Sequence, residues 1–123
     1  MMSSEQNIRI ELVADFKGED AVLVAMTAHG VEVLQKALRS AAEDRARDAV
    51  FLAGEERVLV RVADAPTTLG RKEGALVWSL SAPKLEEVTE KLDALRAASG
   101  PCHHYVDISE PVGTLVLSRD EYI

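Results

Sequence analysis

The sequence predicts an α+β fold, with two helices on one face of a largely antiparallel sheet of about seven strands. The main observation is an internal repeat, because residues 21–42 and residues 75–96 align without a gap at a spacing of 54 positions (75 − 21 = 54). In both segments an apolar strand pattern precedes a Thr or Ser that can cap a helix, and apolar residues at helical spacing follow it. We therefore interpret residues 21–63 and 75–118 as two copies of a strand–helix–strand–strand unit with pseudo-two-fold symmetry.

The composition is that of a single acidic domain with enough apolar residues to form its own core. The chain has 123 residues, of which 47% are hydrophobic. A chain of this length buries about two-thirds of its unfolded surface on folding. Acidic residues outnumber Lys and Arg by 21 to 14, which gives a net charge of −7 at pH 7. Nucleic acids and anionic membranes bind basic surfaces, so the charge argues against both as partners and favours a protein.

Cysteine content and apolar runs indicate a cytoplasmic protein. Cys102 is the sole cysteine, which excludes an intrachain disulfide and fits a reducing compartment. The N-terminal residues MMSSEQN lack the basic and apolar regions of a signal peptide. No apolar run approaches the roughly 18 residues that a membrane span needs.

The first copy is preceded by a strand and begins with a hairpin. Apolar and polar residues alternate over residues 7–14, and a turn separates this strand from the next one at residues 21–26. Thr27 is expected to cap the first helix, although Gly30 is unusual in a first helical turn. The apolar face of this helix consists of Val31, Leu34, Leu38 and Ala41.

Two strands and a long connection complete the first copy. Strands are predicted at residues 49–53 and 57–63, on either side of a turn that contains Gly54. Residues 64–74 contain one proline and two glycines, and we expect them to form a mobile surface loop that joins the copies.

The second copy has clearer helix boundaries. Ser81 is expected to cap the helix. Pro83, which has no backbone N–H, suits the first turn, because N–H groups there have no hydrogen-bond partner within the helix. Glu87 and Lys91 are placed to form an ion pair one turn apart. After a stop at residues 99–101, strands are predicted at residues 102–108 and 114–118.

The sheet is predicted to be apolar on both faces, while two helices can cover only one. We therefore expect the uncovered face to bind another protein or a second copy of the chain as a homodimer. Closure of the sheet on itself, or small side chains on that face, would also explain the pattern. The predicted contact residues are Leu23, Ala25, Val77, His103 and Tyr105.

The alternative functional class is an enzyme or a small-ligand or metal-binding protein centred on Cys102 and His104. These two residues share one side of a strand, and a thiol beside an imidazole can be activated. Asp107 is predicted on the opposite side, however, and a zinc site would need at least one further ligand. The repeat aligns Tyr105 with Phe51, which favours a structural role for this stretch. We therefore expect no catalytic residue, metal or cofactor.

Two further features are interpreted as structural, and a third is left with two interpretations. Trp78 is expected to pack in the core, because its counterpart Val24 shares a strand face with other apolar residues. Arg71 and Lys72 are expected in the exposed loop. The second helix has an acidic face that is either solvated or a contact for a basic partner, formed by Glu86, Glu87, Glu90 and Asp93.

The C-terminal stretch HHYVDISEPVGTLVLSRDEYI resembles the ending of small uncharacterised bacterial proteins. The matching pieces are the segment from His103 to Tyr105 and residues 118–122. Some of those proteins are grouped with the immunity proteins of polymorphic toxin systems. The resemblance implies an acidic α+β protein that binds another protein. In its element order alone, the repeated unit is also similar to the paired domains of sliding DNA clamps, but the negative charge argues against that function.

Overall fold

The computed structural model describes residues 7–16, 18–72, 74–109 and 112–121. The expectation that no signal peptide is present depends mostly on residues 1–6, which lie outside this range. The described chain forms eight strands and two helices. In chain order these are β1 (Ile8–Phe16), β2 (Glu19–Met26), α1 (Ala28–Glu43), β3 (Ala49–Ala53), β4 (Glu56–Val62), β5 (Thr68–Lys72), β6 (Ala75–Leu80), α2 (Ala82–Ala97), β7 (Cys102–Asp107) and β8 (Thr114–Arg119).

The predicted α+β class is confirmed, but the strands form two sheets rather than the single sheet expected. Sheet A has the strand order β1-β2-β8-β7, and sheet B has the order β3-β4-β6-β5. The central pairs β2 and β8, and β4 and β6, are parallel, whereas the outer pairs are antiparallel. Alternation along a strand identifies its two faces but not its pairing partner, which is why the sequence did not separate the sheets.

The two halves of the chain are related by pseudo-two-fold symmetry. The counterparts of β1, β2, α1, β3 and β4 in the second half are β5, β6, α2, β7 and β8. When each element is replaced by its counterpart, the strand order of sheet A becomes that of sheet B read backwards. The helices begin 54 residues apart (82 − 28 = 54). Thr27 and Ser81 cap them as predicted, each accepting a backbone N–H with its side-chain oxygen. Each half therefore contributes one pair of strands to each sheet.

Strand β5 corrects the expectation of a loop at residues 64–74. It pairs with β6, and it is the counterpart of β1 in the second half. Its one buried apolar residue is Leu69, which lies opposite Trp78 and is 4% exposed. A short edge strand with one buried residue shows little apolar alternation, and the neighbouring Pro66 and Gly70 conceal it further.

One hydrophobic core lies between the sheets and the helices. It includes apolar residues of all eight strands and of both helices. Helix α1 packs on β3 and β4, α2 packs on β7 and β8, and the helices contact each other. Trp78 is fully buried, as predicted, and its indole N–H has no hydrogen-bond partner within the described part of the chain.

The repeat register changes by one residue between the helix and the next strand. Phe51 is 5% exposed in the core, whereas Tyr105, which the 54-residue repeat aligns with it, is 46% exposed. The core residue of β7 that matches Phe51 is Val106, at a spacing of 55 (106 − 51 = 55). Successive side chains of a strand point to opposite faces, so this one-residue shift turns Tyr105 outward, and the alignment of Tyr105 with Phe51 is wrong by one residue.

Candidate functional site

Each sheet has an outer face that is directed away from the core, and these two faces are the candidate contact surfaces. Their residues follow from the register of neighbouring strands. Face A consists of Arg9, Glu11, Val13, Phe16, Glu19, Ala21, Leu23, Ala25, His103, Tyr105, Asp107, Thr114, Val116 and Ser118. Face B consists of Val50, Leu52, Arg57, Leu59, Arg61, Thr68, Gly70, Lys72, Ala75, Val77 and Ser79.

The centre of face A is already covered by its own side chains. Leu23 is 3% exposed and Ala25 is 1% exposed. Both belong to a second small apolar cluster, against which Val13 and Phe16 pack. Four of the five predicted contact residues lie on face A, but Leu23 and Ala25 are too deeply buried to offer surface to a partner. Tyr105 is a large hydrophobic residue of this face that is exposed.

A hydrogen-bonded cluster fixes the edge of face A beside Tyr105. Asp120 adopts a positive φ of 59°, after which the Glu121 carboxylate lies 2.9 Å from His103 Nδ1. Ser118 Oγ donates to the same carboxylate at 3.0 Å, and the rings of His103 and Tyr105 meet edge to face with centroids 5.3 Å apart. The serine hydroxyl therefore donates to a carboxylate rather than to an imidazole, which is not the arrangement of an activated nucleophile.

A cavity of about 360 Å³ opens on face A near the connection of β1 and β2. Its lining combines two aromatic rings, two carboxylates and two short side chains. The residues are Phe16, Glu19, Ala21, Tyr105, Asp107 and Thr114.

Face B exposes an apolar row that crosses the whole sheet. Val50, Leu59, Val77 and Gly70 are direct neighbours on β3, β4, β6 and β5. Val50 is 50% exposed, while Leu59 and Val77 are half-buried. Leu52, two residues along β3 from Val50 on the same face, is 57% exposed, and we count it with the apolar row. Face B therefore presents more large apolar surface than face A.

The two faces differ in what lies beside their central residue, because Val13 and Phe16 pack on the cluster that contains Leu23. Leu23 and Val77 occupy equivalent positions (77 − 23 = 54). On one side, Leu23 lies beside Val116 and Val77 lies beside Leu59. On the other side Leu23 has Glu11, whereas Val77 has Gly70, where even an added Cβ would meet nothing within 4 Å. A glycine cannot cover its neighbour, so the apolar row stays open on face B.

Within the described residues, the charged side chains that the strand register places on face B are basic, although the chain is acidic. They are Arg57, Arg61 and Lys72. Arg61 donates two hydrogen bonds to Asp48, at 3.0 and 2.9 Å, and these lower the pKa of Asp48. Arg57 and Lys72 are exposed. Face B therefore combines apolar side chains with positive charge.

The alternative site at Cys102 and His104 lies on the inner side of β7, as the alternation predicts. Cys102 is a free thiol that packs against the core, and His104 lies opposite Leu117 of β8. Asp107 is on face A, so its strand supplies no acidic partner on this side. Within the described ranges no group of three or more His, Cys, Asp or Glu is arranged to hold a metal ion.

The remaining charged residues take part in local contacts. Arg71 belongs to β5 rather than to a loop, and it forms an ion pair with Glu56. Glu87 accepts hydrogen bonds from Lys84 and Lys91, both at 2.9 Å, which lower its pKa. The rest of the acidic face of α2 lines a cavity of about 390 Å³ between the helices, formed partly by Glu86, Glu90 and Asp93.

Sequence reasoning identified Val77 on face B but missed the row around it. The segment from Ala49 to Ala53 has three large apolar residues in succession, which means that both of its faces are apolar. That signal pointed to an exposed Val50 and Leu52, since an edge strand is rarely covered on both sides. No local signal identified the face A cavity, because its lining comes from strands far apart in the chain.

No protein-family profile matches the chain, and no curated protein or solved structure is significantly similar to it. Neither helix in the described part of the chain is long and apolar enough to cross a membrane. The assignment of a function therefore depends on the geometry of the two faces.

Proposed function

We propose that the chain is a non-enzymatic protein-binding module that contacts its partner through face B. The observation that carries this proposal is the exposed apolar row, with Val50 and Leu52 each at least half exposed at one end of it. Contiguous apolar surface of this kind is typical of protein interaction sites. Its burial in a complex contributes about 25 cal/mol per Å² of apolar area removed from water.

The charge of face B favours an acidic partner protein over a homodimer formed through this face. Two copies that met face to face would bring Arg57 and Lys72 of each chain into a shared interface. Like charges across an interface oppose association, whereas an acidic partner would be attracted and oriented. The resemblance of the C-terminal stretch to immunity proteins supports the same general class, a protein that acts by binding another.

The alternative centred on Cys102 and His104 has less support. Cys102 packs against the core on the inner side of β7, and His104 faces the same side. A nucleophilic thiol needs access to substrate, a base and a group that orients the base. The contacts of Cys102 are those of a small apolar residue at the end of a strand.

The proposal is tested by affinity capture with the full chain as bait, followed by binding measurements with each purified candidate partner. Leu52→Glu and Val77→Asp place acidic groups in the apolar row. We expect either change to weaken binding of the true partner by about tenfold or more, as for the central residues of protein interfaces.

Two matched variants serve as controls. Cys102→Ser alters the alternative site, and Thr89→Ala alters helix α2 away from face B, and both are expected to bind normally. Circular dichroism verifies that all variants are folded. If no captured protein depends on Leu52 or Val77, or if Cys102→Ser abolishes binding, the proposal is wrong.

A further inference from the structure

We propose that the cavity on face A binds an organic cation, that is, a guanidinium or primary ammonium group on a short aliphatic stem. This site lies on the opposite sheet from the apolar row and does not depend on the function proposed for face B. Two carboxylates, those of Glu19 and Asp107, lie at the cavity together with the rings of Phe16 and Tyr105.

The cavity results from the order of side-chain sizes across sheet A. Ala21 of β2 and Thr114 of β8 have short side chains, and Glu19, the third lining residue on these central strands, lies at the start of β2. The lining residues on the outer strands β1 and β7 include Phe16 and Tyr105, which have large ones. Ala21 is fully buried and lies at the bottom of the depression. The edge-to-face contact with His103 holds the Tyr105 ring on the other side of the cavity from Phe16.

The chemistry of the lining selects for positive charge. A cation is attracted by the face of an aromatic ring and forms charge-assisted hydrogen bonds to carboxylates. Thr114 Oγ1 donates to the Glu19 carboxylate and so orients it, while the other lone pairs of that carboxylate can accept from a ligand. The same carboxylates repel phosphates and other anions. A volume of about 360 Å³ is near the lower end of the range for ligand pockets, which fits a ligand the size of one side chain.

Among the described residues, the face B counterparts of three lining residues have a different chemistry, so the repeated fold does not dictate these three. Tyr105 and Asp107 correspond to Val50 and Leu52 at the spacing of 55 (105 − 50 = 107 − 52 = 55). On the next strand the spacing is 57, because Val58 is the partner of Phe51 and Leu115 is the partner of Val106 (115 − 58 = 57). Thr114 therefore corresponds to Arg57. An aromatic ring, a carboxylate and a hydroxyl on face A thus replace two aliphatic side chains and an arginine.

The test is an NMR titration of the isotopically labelled full chain with Nα-acetyl-arginine amide and Nα-acetyl-lysine amide. Nα-acetyl-citrulline amide is the control, because it has the shape of the arginine derivative without its charge. We expect saturable shifts at the backbone amides of the lining residues, with a dissociation constant on the order of 1 mM. The citrulline compound is expected to cause no saturable shift there. Added salt is expected to weaken the binding of the cationic ligands.

Variants connect the binding to the cavity. Asp107→Asn and Tyr105→Leu are each expected to raise the dissociation constant of the arginine compound about threefold to tenfold. Asp64→Asn removes one negative charge outside face A and is expected to change it less than twofold. The proposal is overturned if citrulline binds as well as arginine, if Asp107→Asn and Tyr105→Leu both bind normally, or if the shifts occur only in the groove between the helices.

The source of the cation is distinguished in the same titration. Agmatine has the guanidinium group and stem without a peptide backbone, whereas a tetrapeptide with a central arginine presents the same group on a chain. Tighter binding of agmatine identifies a free amine as ligand, and tighter binding of the tetrapeptide identifies the side chain of a partner protein. Either result supports the site. If neither compound binds, the proposal is contradicted.

Discussion

The Cα of Gly30, in the first turn of α1, lies so close to the backbone of Asn7 that a Cβ on Gly30 would be 2.1 Å from the Asn7 carbonyl oxygen. The same carbonyl accepts the backbone N–H of Thr27 at 2.9 Å, and Thr27 Oγ1 donates to Asn7 Oδ1 at 3.0 Å. The start of the helix is therefore fastened to the residue that precedes β1. This close approach explains a glycine that is otherwise unusual in a first helical turn.

Gly30→Ala is expected to lower the free energy of unfolding by about 2 kcal/mol or more, because backbone atoms would have to move to admit the methyl group. In an isolated helix the same change would stabilise by about 1 kcal/mol, so the sign of the effect tests the contact. Urea unfolding followed by the fluorescence of Trp78 gives the measurement. Gly100→Ala is the control, since nothing lies within 4 Å of its Cβ position, and a loss as large as that of Gly30→Ala would contradict the explanation.

Leu23→Asp and Val77→Asp are expected to differ in their effect on stability, although the two positions are related by the internal symmetry. Leu23 is 3% exposed, so an aspartate there would be buried without a partner, at a cost of about 3 kcal/mol or more. Val77 is half-buried beside Gly70, and an aspartate there can reach water, at a cost of about 1 kcal/mol. Thermal unfolding of the two variants side by side provides the comparison. Equal losses would show that the faces are covered to the same extent.

Arg119→Met is expected to destabilise the end of α2. The Arg119 guanidinium donates to the carbonyl oxygens of Leu95 at 2.9 Å and of Ala98 at 2.7 Å, at the end of the helix, where the Leu95 carbonyl otherwise accepts only a long bond of 3.3 Å from the Ala98 N–H. Loss of these charge-assisted bonds is expected to cost about 1 to 3 kcal/mol. Arg96→Met removes a positive charge from the same turn and is the control. If Arg96→Met costs as much as Arg119→Met in urea unfolding, the hydrogen bonds to the helix end are not the cause.

The ion pairs of Glu87 are expected to contribute stability at neutral pH that disappears in acid. Lys84 and Lys91 lower the pKa of Glu87 below its ordinary value of 4.5. A carboxyl group whose pKa is lowered by folding contributes its full stabilisation when the pH is above its pKa in the unfolded chain. It loses this contribution as the pH falls through its pKa in the folded protein. The group is partly exposed, so Glu87→Gln is expected to cost only a few tenths of a kcal/mol at neutral pH.

The measurement is the difference in unfolding free energy between the parent and Glu87→Gln, followed from neutral pH to about pH 3. The difference is expected to shrink toward zero below the ordinary pKa of glutamate. Glu86→Gln, on the exposed part of the same helix turn, is expected to show a smaller difference throughout. A difference that grew as the pH fell would have the wrong sign for this linkage.

Local interactions explain what could be predicted from the sequence. Thr27 and Ser81 each bond a backbone N–H three residues away, at Gly30 and Lys84, and the apolar stripe of each helix repeats every three or four residues. Such signals lie within one helix turn, and both helices and their caps were predicted correctly. The repeat of 54 residues held through β2, α1 and their counterparts, because no insertion separates those elements.

Only the tertiary structure decided which strands pair and which apolar face is open. Leu23 and Val77 look alike in sequence, yet one is buried and the other is half exposed. Their difference comes from the neighbouring strands: Val13 and Phe16 of β1 pack on the cluster of Leu23, whereas Val77 lies beside Gly70 of β5. Likewise, the face A cavity joins Glu19 to Thr114 from opposite ends of the chain. Side chains on different strands meet only after the backbone has paired, so periodicity within one strand contains no information about these neighbours.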